Sequence, residues 1–244
     1  MVFDEPYRWV DAINQRRDYI EEQLKRSSPV VAVSVEEGIL LLSFYRRTSK
    51  IFEIYDRMAM GAIGHPADIE MIRMAAINTS HVEGFTRSSR DVSMRRLTMF
   101  TLSPKLKSSF EDVMSSPLIY RGIFVEAGAS PREDLFYELD FDGQVKPSKI
   151  SAVISNGEDL SDRIRKMLPS TVLSGKEALP VLVDACVSGS LDFEEAGMDA
   201  DGKILDEDLY RRKKELFLSE REPDIQLLDR RTGLMRSLPL PSMP

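Results

Sequence analysis

Cysteine is nearly absent from this 244-residue chain: Cys186 is the single thiol, which excludes any internal disulfide. Its neighbours Val183, Ala185 and Val187 are apolar, the setting of a buried core thiol rather than a reactive one. Histidine occurs only twice, and neither copy can by itself support a metal site. No apolar run approaches the ~18 residues of a membrane span. The opening Met-Val-Phe-Asp-Glu-Pro6 lacks the basic and hydrophobic regions of a secretory signal, so a cytoplasmic protein is expected. Basic residues are the scarcer sign, 33 against 40 acidic, and the net charge of −7 is wrong for a general nucleic-acid binder.

What is present is an ample apolar supply. A hydrophobic content of 42% fills a sizeable core, and no linker-like stretch divides the first 190 residues, so one large domain is expected. Asp4 and Pro6 suit a helix start, Lys25 and Arg26 suit its end, and Trp9, Ile13, Ile20 and Leu24 draw one apolar stripe between them. That stripe packs either on its own domain or on a neighbouring subunit. Residues 30–33, 39–45, 51–54 and 58–63 read as strands, rich in β-branched residues and punctuated by Gly38 and Gly64. Pro66 opens a helix to about residue 83, with Ile69, Ile72, Ala76 and Thr79 on one face. A second helix spans about residues 91–102, and 104–114 is expected to continue it across a break.

The order then repeats. Residues 118–126 and 135–140 read as strands, Asp142-Gly143 turns a hairpin toward Val145, and 150–154 forms the next strand. Leu160, Ile164 and Leu168 mark a helix; Ser174 and Glu177 form the capping box of another, with a stripe of Leu179, Leu182, Val183 and Cys186. Pro180 within it demands a kink or a later start. Strands then helices, twice, define an α+β chain folded as a four-layer αββα sandwich rather than a βαβ pattern.

The organisation expected is an N-terminal segment and helix over 1–26, the sandwich over 27–238, and a loose tail over 239–244. A charged insertion occupies about 189–222, helical over 209–218, with Arg211-Arg212-Lys213-Lys214 as a solvated face. Residues 224–228 and 233–238 make a last hairpin. Asp199-Ala-Asp201-Gly202-Lys-Ile204 with Asp208 imitates part of a calcium loop. Gly197 stands at its first ligand position, however, and Asp replaces the closing Glu, so it reads as a turn. No metal and no cofactor are expected.

With the elements in order, several strings carry a family resemblance: Ser28-Pro-Val-Val-Ala-Val33, Lys50-Ile-Phe-Glu-Ile-Tyr-Asp-Arg57, Arg90-Asp-Val92, and Pro117 opening a strand that reaches Val125-Glu126. In sequence and spacing they resemble α-type subunits of bacterial, actinobacterial-type 20S proteasomes. The resemblance implies the N-terminal-nucleophile hydrolase fold of proteasome subunits with an α-type N-terminal helix. Catalytic members of that family carry a free N-terminal threonine, whose hydroxyl attacks while its own amine serves as base. They also carry an aspartate late in the second strand and a lysine on the next. Here Ser28 stands in mid-chain before Pro29, Phe44 or Tyr45 occupies the aspartate's place, and Lys50 alone matches. A non-catalytic subunit is therefore implied.

Further roles follow from the resemblance. Lys50 would pair with the C-terminal carboxylate of an activator ATPase, in a pocket between neighbouring subunits bordered by Gly64 and His65, although His65 departs from the aliphatic residue usual there. The plainer alternative is a surface lysine paired with Glu53 or Asp56. Met1, Val2, Phe3, Asp4 and Glu5 would be the gate, ahead of a ring-top helix. Seven copies would form a ring on β-type subunits, passing unfolded polypeptide, with no nucleic-acid or membrane partner. Two other readings stay open: a divergent single-ring hydrolase processed before Ser28, and a ring protein without protease partners.

Overall fold

Hairpins set the strand order of a computed structural model that describes residues 6–25, 27–191, 194–199 and 204–240. Strands β1 (Val30–Val35) and β2 (Gly38–Tyr45) pair antiparallel, and β8 (Ser151–Ile154) joins the free edge of β1. On the other side, β9 (Glu222–Asp229) pairs with β2 and β10 (Met235–Ser237) with β9, giving the order β10-β9-β2-β1-β8. The second sheet runs in chain order: β3 (Ile51–Tyr55), β4 (Met58–Gly64), β5 (Tyr120–Glu126), β6 (Leu135–Leu139) and β7 (Val145–Ser148).

The run of β1 is apolar at nearly every position because both its faces are covered. Val30 and Ala32 face the second sheet, where Ile51, Ala59, Ile123 and Val125 meet them. Val31, Val33 and Val35 face outward against α5 (Glu158–Met167) and α6 (Gly175–Ser190), meeting Ile164, Leu182 and Cys186. The outer face of the second sheet packs on α2 (Pro66–Thr86), α3 (Met94–Arg96) and α4 (Ser103–Glu111) through Ile72, Ala76, Met94 and Leu106. Helix, sheet, sheet, helix is the four-layer sandwich expected from the sequence. Among the described residues no helix is long and apolar enough to cross a membrane.

Helix α1 (Pro6–Leu24) covers one edge of the layer between the sheets, with Ile20 and Leu24 fully buried there and Ile13 packed beside them. Each of the first two is worth about 1.5–3 kcal/mol of burial. Arg16 donates to the carbonyls of Ser109 and Ser115, and Arg17 lies 5.3 Å from the ring centres of both Phe110 and Phe141 while bridging Asp142 at 2.9 Å. The stripe divides between the two expected destinations: Trp9 is half exposed.

Two local expectations are corrected and a third is borne out in part. The helical run across 94–111 is unbroken at Pro104, because residues 97–102 widen into a π turn in which the Ser103 N–H reaches back to the Thr98 carbonyl. Pro104 then sits in the first turn of α4, where no N–H is needed. Helix α6 starts at Gly175 with Pro180 in its interior, so of the kink or later start expected there it is the later start that is corrected. The acceptor freed by the missing N–H is the Lys176 carbonyl, on the exposed first turn, within reach of solvent. On α2 the buried face is Ile72, Ala76 and Ser80, with Ile69 and Thr79 at its margins.

The charged segment after residue 189 is docked rather than loose at its helix, α7 (Glu207–Ser219). Phe217 packs edge-on to Phe44 at 5.3 Å, Tyr210 hydrogen-bonds Ser188, and Lys213 bridges Glu195. A buried pair pins the opposite end of the first sheet. Asp134 accepts both terminal nitrogens of Arg230, at 2.5 and 2.9 Å, together with the Ser34 hydroxyl and the Gly128 N–H. Arg230 also donates to the carbonyls of Val35, Gly38 and Gly128. The β1–β2 turn, the turn after β9 and the loop before β6 are thereby tied at one point.

Candidate functional site

The segment between α1 and β1 is where the family resemblance puts its nucleophile. Ser28 is amide-linked to Ser27, and its carbonyl accepts the Lys50 ammonium at 2.9 Å. The next carbonyl, of Pro29, accepts the Ser43 hydroxyl at 2.7 Å. The backbone is thus tied from both sides. In the aspartate's place Phe44 is fully buried against Phe217, and Tyr45 turns its hydroxyl to Glu222 at 2.9 Å. No carboxylate stands beside Ser28 at that position.

Lys50 is held by a residue far along the chain. Asp224 on β9 accepts the N–H groups of Lys50 and Ile51 at 2.8 and 3.1 Å through one carboxylate oxygen, and the Ser49 hydroxyl at 2.6 Å. Fixed there, Lys50 points its side chain into the interior of a cleft of about 460 Å³. Burial, then the charge of Arg221, brings its ammonium down to about 8. The surface reading of Lys50 is corrected: Glu53 instead accepts the Met235 N–H, and the ammonium goes to Ser28. Cys186 is free and buried, and burial raises its thiol, which keeps it neutral.

Lining the cleft are Lys25, Arg46, Lys50 and Arg221, with Phe44, Tyr45, Leu160 and Phe217 between them. Arg221 lies over the Phe217 ring at 4.1 Å. Arg46 bridges Glu220 at 2.8 Å, Arg221 approaches the same carboxylate at 3.7 Å, and Lys25 pairs with Glu22. Among the described residues Lys50 has no carboxylate at ion-pair distance. Arg46, Arg221 and Asp224 were not singled out from the sequence. Asp224 had one cue, a charged residue opening the run that reads as a strand.

Gly64 and His65 follow Ala62, whose N–H donates to the Lys50 carbonyl, but they line no part of its cleft. Gly64 has a positive φ of 136°, and a β-carbon there would stand 2.0 Å from the Ile119 carbonyl oxygen, so no other residue fits. His65 is exposed and caps α2, its Nδ1 accepting the Ala67 N–H at 3.3 Å. A single chain therefore does not gather Lys50, Gly64 and His65 into one pocket. Met1, Val2, Phe3, Asp4 and Glu5 lie outside the described residues, as do residues 200–203 of the calcium-like turn. Among the described residues no group of three or more His, Cys, Asp or Glu is arranged to hold a metal.

Two five-stranded sheets between helical layers, with an internal serine at the head of the first hairpin, define an N-terminal-nucleophile-type sandwich preceded by an α-type helix. Comparison with known proteins agrees. Over 213 residues the chain is 27% identical to "Proteasome subunit alpha" of Thermomonospora curvata, covering 86% of this chain and 90% of the relative. The protein of that name from Actinosynnema mirum is 27% identical over 82% of this chain and 78% of its own. Its counterpart from Pseudarthrobacter chlorophenolicus is 30% identical over 62% and 63%. No family model matches the chain. The chain is thus similar over most of its length to bacterial proteasome α-type subunits.

Proposed function

We propose that this chain is the non-catalytic α-type subunit of a bacterial 20S proteasome, working in the cytoplasm. Seven copies form the outer ring, which passes unfolded polypeptide to β-type protease rings and docks a ring-shaped ATPase through its C-terminal tails. The observation that supports this best is the condition of Ser28: its nitrogen is in a peptide bond, Pro29 follows it, and its carbonyl holds Lys50. N-terminal-nucleophile chemistry needs a free amine as its base.

Assembly has surfaces to use. Val82, Phe85 and Phe100 stand exposed on α2 and the π turn, and Trp9, Val10 and Tyr19 on α1. We assign the first face to β-type subunits and the second to neighbouring copies. Tail docking falls to Lys50, with Gly64 and His65 on the adjoining strand end, and gating to Met1–Glu5 at the ring axis.

The test is to express the chain with and without a bacterial β-type subunit and treat each product with fluorogenic peptides and a threonine-directed covalent inhibitor. The chain alone should neither turn over nor be labelled, and the mixture should yield seven-fold particles labelled only on the β chain. Stoichiometric labelling at Ser28 would overturn the assignment, and so would a chain that stays monomeric beside assembled β rings.

A further inference from the structure

Between α2 and the π turn lies a groove of about 470 Å³, with Val82, Glu83, Arg87, Arg96 and Phe100 in its lining. Its apolar members stand in solvent: Val82 is 64% exposed and Phe100 75%, with Phe85 beside them at 93%. The π turn is what presents Phe100. It buries Leu97, Thr98 and Leu102 toward the sheet, and the Thr98 hydroxyl donates to the Met94 carbonyl at 2.8 Å, so the widening is taken up on the outer side. Charge around the groove runs against the sign of the whole chain. Residues 87–96 hold four arginines and one acid, Asp91, in a protein of net charge −7. Glu83, the one carboxylate in the lining, is bridged by Arg96 at 2.8 Å. Arg87, also in the lining, has no carboxylate at ion-pair distance among the described residues. A second copy laid on this face about a two-fold axis would set like arginines against one another, which disfavours self-pairing.

We propose that this groove receives an apolar side chain of the β-type partner between Val82 and Phe100, and that a partner carboxylate next to it pairs with Arg87. This rests on the assignment of that face to β-type subunits and deepens it, because it specifies the chemistry of the partner's surface. An aromatic wall around a buried anchor carries most of the energy of such a contact, while an ion pair at its rim steers association and sets its salt dependence.

The experiment mixes the full-length chain with a bacterial β-type subunit and follows their association by analytical ultracentrifugation, comparing the native chain with Phe100→Ala and Arg87→Glu. Both positions are exposed, so both variants should melt at the native temperature. Phe100→Ala should weaken association about tenfold. Arg87→Glu should weaken it about fivefold in roughly 0.05 M salt, and the difference should close toward one in roughly 0.5 M salt, where charges are screened. Native affinity of Arg87→Glu at low salt, with Phe100→Ala still weaker, overturns the acidic partner surface and leaves β-type docking on this face standing. Native affinity of Phe100→Ala overturns the groove, and native affinity of both variants overturns the docking face as well. A native chain that does not associate with the β-type subunit overturns the proposed assembly itself.

Discussion

Lys50 keeps a charge in surroundings that resist it, and pH exposes the conflict. Its native value of about 8 lies below the roughly 10.4 of an unfolded lysine. Between the two the unfolded chain binds more protons than the native one, so the contribution of this group to stability rises with pH over that window. The charged groups facing it are Arg221, which lowers its proton affinity, and Asp224, which raises it; Cys186 stays neutral beside it. Compared with Lys50→Met by denaturant unfolding at a series of pH values, the native protein should gain relative stability from about pH 8 to 10. A flat difference would mean that Lys50 titrates like a solvated lysine. The matching position of Lys50 was legible in its local string, but its surroundings were not. Asp224 is 174 positions away, and no periodicity in either segment joins them.

At the scale of elements, the strands were legible because hairpin turns and two-sided burial leave strong local marks: Val30–Val35 is almost continuously apolar, and Gly38 and Gly64 stand at strand ends. The two prolines misled for a common reason. Pro104 and Pro180 were judged by the hydrogen bond each removes, whereas the structure supplies a way round it, a widened turn in one case and an exposed acceptor in the other. The Arg230–Asp134 pin was invisible as well, since three loops meet there only after the sheets form. Removing one member of a buried, fully bonded pair strands the other. Arg230→Ala should cost about 3–5 kcal/mol in urea unfolding. A loss below about 1 kcal/mol would show that water enters and replaces the guanidinium.

The whole molecule was legible as a sandwich because strands and helices alternate in blocks, and illegible as an assembly because an isolated stripe does not say whose core it joins. Helix α1 makes the point: Ile20 and Leu24 are spent on its own domain, and Trp9 is left half in solvent. Trp9 is also the only indole in the chain. Its emission therefore reports a single place, the outer face of α1, with no background from the core. Emission from the dispersed chain should sit near the red end expected of a wetted indole, and move to the blue as concentration drives copies together, if neighbouring chains cover that helix. A spectrum that stays fixed while light scattering records assembly would put the contact elsewhere. The residue that one domain fails to bury would thus let formation of the proposed particle be followed in the native protein, without a label.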